Sequence, residues 1–543
     1  MPVNDDTNED QHMTTPDAFH VYDTTLRDGA QQEGLNLSVA DKLAIARQLD
    51  GLGVGFIEGG WPGANPRDTE FFARAREELT LQNAQLAAFG ATRRAGGTAA
   101  DDPLIAALRD SGAGVVTLVA KSHDRHVELA LRTTLEENLA MVRDTVSHLT
   151  AEGQRVFLDA EHFFDGYRAN RDYALEVLRT AFEAGAEVAA LCDTNGGMLP
   201  GWVADVVDDV VQVTGGRVGI HCHNDTGCAV ANTLAAVDAG ATHVQGTLNG
   251  YGERTGNADL VSVVANLELK LDKRVLPPGL LREATRIAHA VAEVTNVPPA
   301  ARQPYVGVSA FAHKAGLHAS AIKVDPNLYQ HMDPEGVGND MRLLVSDMAG
   351  RASIELKGRE LGFELDKELV SRVTARVKDM ELRGYTFEAA DASFELLLAE
   401  ELDGARPAYF QVESWRVITD SSPQAEAGSE ATVKLVAAGE RFVVTGEGNG
   451  PVNALDQAVR NAIGQAFPEV VKFELIDYKV RIVDQGHGTD AITRVLIETS
   501  DGEASWVTVG VGANVIEASW EALLDGLTFG LRRHDRDPER RTD

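Results

Sequence analysis

Apolar, β-branched runs recur along the first half of the chain at intervals of about 25 to 40 residues, with helical segments between them. The eight runs are His20–Thr24, Val54–Glu58, Gln85–Phe89, Val115–Val119, Val156–Asp159, Val188–Cys192, Val218–His221 and His243–Thr247. Eight strand-helix units within about 250 residues are typical of a (β/α)₈ barrel rather than an open sheet. The pattern therefore predicts an α/β fold with a TIM barrel over residues 18–272.

The segments between the runs have amphipathic, helical patterns. Ser38–Leu52 begins with a candidate N-cap, Ser38, and has Asp41 at the position that completes a capping box. A second such helix is predicted over Thr134–Leu149.

Polar residues follow almost every predicted strand at its C-terminal end. They are Arg27-Asp28 after the first strand, Thr92-Arg93 after the third, Lys121 after the fourth, Glu161 after the fifth, Asp193-Thr194-Asn195 after the sixth, His221-Cys222-His223 at the seventh and Asn249–Asn257 after the eighth. This is the face on which TIM barrels carry their active sites. The predicted N-terminal strand ends lack comparable chemistry.

His221 and His223 stand out because alternate residues of a strand point to the same face. Two neighbouring imidazoles on one strand are half of a divalent-metal site. A pair of structural histidines is the alternative interpretation. The carboxylate of Asp28 and the amide of Asn257, which are predicted at the same end of the barrel, favour the metal site.

The chain beyond the barrel has a different pattern. Helical segments near Leu280–Thr295, Lys367–Glu381 and Phe387–Glu401 predict a helical linker domain over residues 273–405. Residues 406–534 contain an internal repeat at an offset of about 63 to 64 residues, in which Gly446-Glu447-Gly448 matches Gly510-Val511-Gly512. Each half reads as strands, a glycine-rich turn and a helix, so we predict an α+β domain suited to regulation and dimerisation.

The glycines of the repeat are interpreted as tight turns rather than a phosphate site, because the Lys and Ser/Thr of a P-loop are missing. Residues 1–17 are predicted to be a disordered tail and residues 535–543 a charged tail.

Composition narrows the function. The formal net charge of −33 and the lack of a basic patch argue against a nucleic-acid partner. The sequence has no apolar stretch near the roughly 20 residues of a membrane span, and its acidic N-terminus is unlike a signal peptide. Three cysteines, Cys192, Cys222 and Cys228, suggest reduced thiols and a cytoplasmic protein.

Three separated motifs resemble those of the DRE-TIM metallolyase superfamily and occur in the same order. They are Asp23-Thr24-Thr25-Leu26-Arg27-Asp28-Gly29, His221-Cys222-His223-Asn224-Asp225 and Asn249-Gly250-Tyr251-Gly252-Glu253-Arg254-Thr255-Gly256-Asn257. From about residue 18 to 534 the chain is similar to the group of α-isopropylmalate, homocitrate and citramalate synthases. The segments Ile57–Pro66 and Asp159–Tyr167 are similar to the citramalate synthase branch.

The resemblance implies a role for several residues of this chain. The implied metal ligands are Asp28, His221 and His223, with Asn257 close to the ion; Arg27 contacts the oxygen that gains charge, Glu161 and Thr194 line the substrate pocket, and His318 with Tyr329 forms a catalytic pair. Many relatives have Glu where this chain has Ala30, so the role of that Glu cannot be assigned to this chain. Whether Gln31 takes over that role is left open.

The implied reaction is a Claisen-type condensation of acetyl-CoA with a 2-oxoacid, pyruvate in the citramalate branch, followed by thioester hydrolysis. Its implied cofactor is Mn²⁺, Mg²⁺ or Zn²⁺, and the implied form is a homodimer or higher homo-oligomer regulated by isoleucine. The implied general base is His318 aided by Tyr329, with Glu161 as the second candidate. For the nearby His313, a structural role and a catalytic role are equally compatible with the sequence.

Other interpretations stay open at this point. Arg93, Arg94 and Lys121 are candidates for CoA phosphates, but rim charges are commonly just solvated. Trp61 is hypothesised to shrink the pocket to fit a methyl group. The alternative functions are an isopropylmalate synthase regulated by leucine, a metal-dependent lyase, and a non-enzymatic amino-acid sensor or metal-storage protein.

Overall fold

The computed structural model describes residues 18–345, 350–422, 425–483 and 491–536. The chain forms two compact units. The first ends at Phe311 and also includes Met332–Asp340, and the second comprises Ala312–His331 and the chain from Met341 onward. The predicted tail of residues 1–17, and residues 537–543 of the predicted charged tail, lie outside the described residues.

The first unit is a closed barrel of eight parallel strands, as the sequence predicts. The strands are β1 (His20–Asp23), β2 (Phe56–Gly60), β3 (Gln85–Ala91), β4 (Val115–Lys121), β5 (Arg155–Glu161), β6 (Val188–Asp193), β7 (Arg217–Cys222) and β8 (His243–Gly246). Each strand pairs with the next, and β8 closes the barrel on β1 with His20 opposite His243.

Helices cover the outside of the barrel. They are α1 (Val39–Leu52), α2 (Pro66–Glu78), α3 (Pro103–Asp110), α4 (Asp124–His126), α5 (Leu135–Ala151), α6 (Phe163–Ala169), α7 (Arg171–Glu183), α8 (Pro200–Thr214), α9 (Ala229–Asp238), α10 (Leu260–Lys270) and α11 (Ala284–Thr295). Ser38 caps α1, and Asp41 completes the predicted capping box. Thr134 likewise caps α5.

The interior of the barrel combines an apolar layer with buried polar residues, which include His20 and His243 at the N-terminal strand ends. Tyr22, Phe56, Ala87, Val115, Phe157 and Val188 form a buried apolar cluster. Nearer the C-terminal strand ends, the buried residues Glu58, Thr117, Asp159 and Gln245 are polar. Buried polar groups need partners, so this layer indicates where the chemistry is concentrated.

The second unit combines helices with three small sheets in its described residues, one of two strands (β9 and β10) and two of three strands. Its elements are β9 (Ala312–His313), α12 (Gly316–Ile322), β10 (Arg342–Leu343), α13 (Arg351–Glu360), α14 (Lys367–Leu382), α15 (Asp391–Asp403), β11 (Phe410–Ser422), β12 (Ala425–Ala437), β13 (Glu440–Gly448), α16 (Pro451–Ile463), β14 (Glu474–Ile482), β15 (Thr493–Ser500), β16 (Ser505–Gly512) and α17 (Val515–Arg536). The predicted boundaries at 272/273 and 405/406 remain predictions.

The internal repeat is confirmed as two antiparallel three-stranded sheets, β11-β12-β13 and β14-β15-β16, each followed by a helix. The matched glycines explain the pattern. A Cβ at Gly446 would lie 2.4 Å from the backbone nitrogen of Ala458, and one at Gly510 would lie 2.0 Å from the carbonyl oxygen of Ala518. Both glycines therefore allow a helix backbone to approach its sheet closely.

Within the described residues, none of the helices combines the length and the apolar character needed to cross a membrane.

Candidate active site

A cavity of about 710 Å³ opens at the C-terminal ends of the barrel strands. The residues that line it include Arg27, Asp28, Trp61, Phe89, Arg94, Lys121, Asp159, Glu161, Thr194, His221 and His223. The cavity thus brings together most of the residues that the sequence predicts for the site. Its size lies within the usual range for small-molecule pockets, roughly 300–1,000 Å³.

Asp28, His221 and His223 form a buried cluster at this cavity. Oδ2 of Asp28 lies 3.1 Å from Nε2 of His221 and 3.5 Å from Nε2 of His223. One potential ligand atom from each residue lies within 4.8 Å of the others, which is the spacing of a metal site. Two imidazoles and one carboxylate are the donor set of a catalytic centre that leaves coordination positions open.

The burial of one ring nitrogen of His223 favours a ligand role. The other, Nδ1, lies 2.7 Å from the carbonyl oxygen of Thr194 and 2.8 Å from Nη2 of Arg254, so the partners of His223 are at Nδ1 and its Nε2 faces the cluster. This Nε2 is buried and has no hydrogen-bond partner among the described residues. A buried nitrogen in this state requires an explanation, and a metal ion at the cluster provides one.

Asn257 lies beside His223, because the two residues form an isolated backbone bridge. Its Nδ2 donates to the carbonyl oxygen of Tyr251 at 3.0 Å. Its Oδ1 is buried without a hydrogen-bond partner in the described part of the chain. The amide oxygen of Asn257 is therefore an acceptor without a hydrogen bond, as expected of an oxygen that serves as a further metal ligand.

Positive charge stabilises the ionised form of Asp28. Burial alone would raise the pKa of this carboxyl, but the positive charge of Arg27 and the adjoining imidazoles of His221 and His223 outweigh burial and hold the pKa well below its usual range. Asp28 is therefore an anionic donor at neutral pH.

Arg27 is held from two sides. Its Nε donates to Oε2 of Glu58 at 2.6 Å, and its guanidinium carbon lies 3.9 Å from the ring centre of Phe89. Tyr22 OH donates to the other oxygen of Glu58 at 2.8 Å. Glu58 was not among the predicted site residues, although it belongs to a segment that carries the family resemblance.

Glu161 and Thr194 both line the cavity, as predicted. The carboxylate of Glu161 forms an ion pair with Lys121. Thr194 accepts a hydrogen bond from the backbone nitrogen of His162 at 2.8 Å through its hydroxyl oxygen. Thr194 therefore contacts the loop after β5 through its hydroxyl and His223 through its carbonyl group.

Asp159 lines the cavity and was not among the predicted site residues. Burial and the charge of Glu58 raise the pKa of this carboxyl to about 6. Its Oδ1 accepts a hydrogen bond from Gln245 at 2.8 Å. The signal that could have identified Asp159 is its place two residues before Glu161, on the same face of β5.

The candidates for CoA phosphates differ in their surroundings. Arg93 is buried and forms ion pairs with Glu137 at 2.8 Å and Asp144 at 2.6 Å, while Lys121 is paired with Glu161. Arg94 is exposed at the cavity. Arg94 is therefore the best placed of the three for an incoming phosphate.

Trp61 forms part of the cavity wall. Its indole packs edge-on against Phe89, with ring centres 5.6 Å apart. Its backbone nitrogen donates to Asp68 at 2.9 Å, and Asp68 pairs with the buried Lys42. These contacts fix an aromatic surface next to Arg27.

His318 and Tyr329 belong to the second unit, where their rings stack with centres 4.1 Å apart. His313 lies 6.0 Å from His318 by ring centres. Burial and the charge of His318 lower the pKa of His313. The predicted catalytic pair is thus in mutual contact.

Comparison with known proteins defines the class. A family model described as HMGL-like matches residues 18–291. Models described as the LeuA allosteric (dimerisation) domain and as the homocitrate synthase post-HMGL domain-like family match residues 388–531 and 305–384. The chain belongs to the HMGL-like family, within the DRE-TIM group of barrel enzymes.

Individual relatives match nearly the whole chain. The (R)-citramalate synthase of Streptomyces coelicolor is 70% identical, covering 95% of this chain and 97% of that protein. The (R)-citramalate synthase of Synechocystis sp. is 48% identical, covering 96% and 97%. A probable 2-isopropylmalate synthase of Methanopyrus kandleri is 34% identical, covering 95% and 99%.

Proposed function

We propose that this protein is an (R)-citramalate synthase, which condenses acetyl-CoA with pyruvate and hydrolyses the thioester to release citramalate and CoA. The observation that carries the proposal is the 70% identity to an (R)-citramalate synthase over nearly the whole chain. The cavity supports it with a cluster of Asp28, His221 and His223 next to a fixed arginine.

The metal-binding residues in this proposal are Asp28, His221 and His223, with the amide oxygen of Asn257 as a further donor. The buried, unpartnered atoms of His223 and Asn257 fit this role. A divalent cation held there supplies Lewis-acid polarisation of the 2-oxoacid carbonyl. The donor set suits Mn²⁺, Mg²⁺ or Zn²⁺, because imidazole favours transition metals and carboxylate favours harder ions.

Arg27 is proposed to stabilise the transition state. The ketone oxygen of pyruvate gains negative charge as the new carbon–carbon bond forms. Arg27 lines the cavity, and its Nε is occupied by Glu58, so its terminal nitrogens are the donors available to that oxygen. Losing such a preorganised donor costs roughly 10²–10³ in rate.

A base must take a proton from the acetyl methyl group before that bond forms. We propose His318, supported by its contact with Tyr329, and keep Glu161 as the second candidate. Glu161 and Thr194 are proposed to line the 2-oxoacid pocket. A positioned base contributes roughly 10²–10⁴-fold to the rate.

Regulation is proposed to come from the C-terminal repeat. Residues 388–531 match the LeuA allosteric (dimerisation) domain. We propose that this domain makes the protein a homodimer or higher homo-oligomer and binds isoleucine, the end product that suits a citramalate-forming step. A cytoplasmic location is part of the same proposal.

The test is a CoA-release assay with acetyl-CoA and either pyruvate or 2-oxoisovalerate. We expect a higher kcat/KM for pyruvate, by roughly 10-fold or more, because each extra methylene changes pocket binding by about 1–3 kcal/mol. A higher kcat/KM for 2-oxoisovalerate would reject the proposal in favour of a 2-isopropylmalate synthase. Isoleucine, but not leucine, should lower the rate.

Variants extend this test to the site. Asp28→Ala should abolish CoA release and uptake of the divalent cation, since it removes the anionic donor of the cluster. Asp110→Ala is the matched control, because Asp110 is an exposed residue at the end of α3. CoA release by Asp28→Ala at the wild-type rate would exclude the metal site.

A further inference from the structure

Gln245 is a fully buried amide in the barrel interior, and the proposed function gives it no task. It lies on β8 directly opposite His221 on β7 in the parallel register. Its Oε1 lies 2.9 Å from Nδ1 of His221. Gln245 therefore contacts the ring nitrogen that faces away from Asp28.

The surroundings fix which end of the amide faces His221. Nε2 of Gln245 lies 2.8 Å from Oδ1 of Asp159 and 3.3 Å from Nε2 of His243. A carboxylate only accepts hydrogen bonds, so the amide nitrogen has to face Asp159 and the oxygen has to face His221. The opposite orientation would place two oxygens against each other.

His243 supports the same orientation. Burial and the charges of His20 and Arg217 hold the pKa of His243 well below its usual value, so its imidazole is neutral and can accept at one nitrogen. Both amide hydrogens of Gln245 thus have acceptors, and its oxygen is directed to Nδ1 of His221. An amide oxygen cannot donate, so Nδ1 must carry the proton.

We propose that Gln245 is a positioning residue for the metal site, which holds His221 with its proton on Nδ1 so that Nε2 is offered to a divalent cation beside Asp28. The inference rests on the metal site in the proposed function. Partners that orient a ligating histidine and fix its tautomer typically affect metal affinity about 10–100-fold. Gln245 is connected to the cation only through His221.

The experiment titrates metal-free protein with Co²⁺ and follows both the heat of binding and the visible absorption of the ion. Gln245→Leu removes the acceptor, and we expect its Kd for Co²⁺ to rise about 10–100-fold, with a changed absorption band. Gln245→Glu keeps an oxygen for Nδ1, so it should restore most of the affinity. Asn232→Leu is the control for losing a buried amide, since Asn232 donates to Met198 instead.

A thermal melt of the metal-free variants separates positioning from packing. The carboxylate of Gln245→Glu would face Asp159, so this variant should lose thermal stability while retaining metal affinity. If Gln245→Leu does not fold, Gln245→Asn replaces it, because the shorter side chain withdraws the oxygen from His221 and should also weaken Co²⁺ binding.

The outcomes are distinguishable. If Gln245→Leu or Gln245→Asn binds Co²⁺ with wild-type affinity, Gln245 does not position His221. The same conclusion follows if Gln245→Glu binds Co²⁺ as weakly as those variants. Either result would leave the proposed metal site itself intact. If the wild-type protein itself takes up no Co²⁺ and no catalytic divalent ion, the proposed metal site fails, and the inference fails with it.

Discussion

Replacing Glu58 by Gln should impair catalysis through Arg27, although Glu58 does not line the substrate cavity. The side chain of Glu58 is 0% exposed and accepts Nε of Arg27 at 2.6 Å. At this distance and an effective dielectric constant of about 20, the attraction between the two charges is about 6 kcal/mol. Most of that energy offsets the desolvation of two buried ions.

The net effect of Glu58→Gln is therefore smaller than this attraction. Gln keeps an acceptor for Arg27 but leaves the guanidinium with Asp28, 3.6 Å away, and Asp159 as its counter-charges. We expect the free energy of unfolding to fall by about 2–4 kcal/mol. We also expect kcat to fall on the order of 10–100-fold, less than complete loss of the donor would cause.

The assay is steady-state CoA release combined with thermal unfolding. Glu187→Gln is the matched control, because Glu187 pairs with Arg155 at 2.7 Å next to the N-terminal end of β6, the opposite end of the barrel from the cavity. That pair is partly exposed, so its loss should cost only about 0–1 kcal/mol and leave kcat unchanged.

A double-mutant cycle decides whether Glu58 acts through Arg27. In an Arg27→Ala background, Glu58→Gln should lower kcat no further, because the group that it positions is already gone. An undiminished loss in that background would show that Glu58 does not act through Arg27. A Glu58→Gln variant with wild-type kcat would show that Glu58 does not support catalysis at all.

Three further outcomes are expected. Trp61→Leu should raise kcat/KM for 2-oxoisovalerate relative to pyruvate by roughly 10-fold, and an unchanged ratio would remove Trp61 from the determinants of specificity. Gly510→Ala should destabilise the second unit by about 1–3 kcal/mol in a denaturant melt, since its Cβ would meet Ala518, whereas Gly428→Ala in β12, where a Cβ has open space, should be milder. Burial raises the pKa of Asp23 from 3.8 to about 7, so the folded state holds a proton that the unfolded state loses, and unfolding free energy should fall between about pH 4 and 7. Asp23→Asn should flatten that part of the stability profile.

The barrel could be predicted from the sequence because its signals are local. Each strand is a short apolar run, and each helix between the runs has an amphipathic pattern with a cap such as Ser38. The cluster of candidate metal ligands could also be predicted, since His221 and His223 alternate on one strand and Asp28 follows the end of another. Strand ends of a closed barrel converge, so residues far apart in the chain can be assigned to one site.

The supporting residues were missed because their partners are distant in sequence. Glu58 pairs with Arg27, and Gln245 with His221, only once strands are placed in register. The partners of Arg93 were also not evident from the sequence. Its position after a strand made it one candidate for a phosphate, with a solvated rim charge as the alternative, and in the structure it pairs with Glu137 and Asp144 of α5.

The buried charges around the cavity show what the proposed function requires of a site that holds a cation and accepts an anionic substrate. Three carboxylates, those of Asp28, Glu58 and Asp159, face the single guanidinium of Arg27 through contacts or charge interactions. Lys121 is neutralised by Glu161 and adds nothing to the balance. These buried groups together carry a net negative charge, which by itself disfavours an anionic 2-oxoacid. The field of buried groups is poorly screened, so under the proposed function a divalent cation beside Asp28 would offset this charge and substrate binding would depend on the cation.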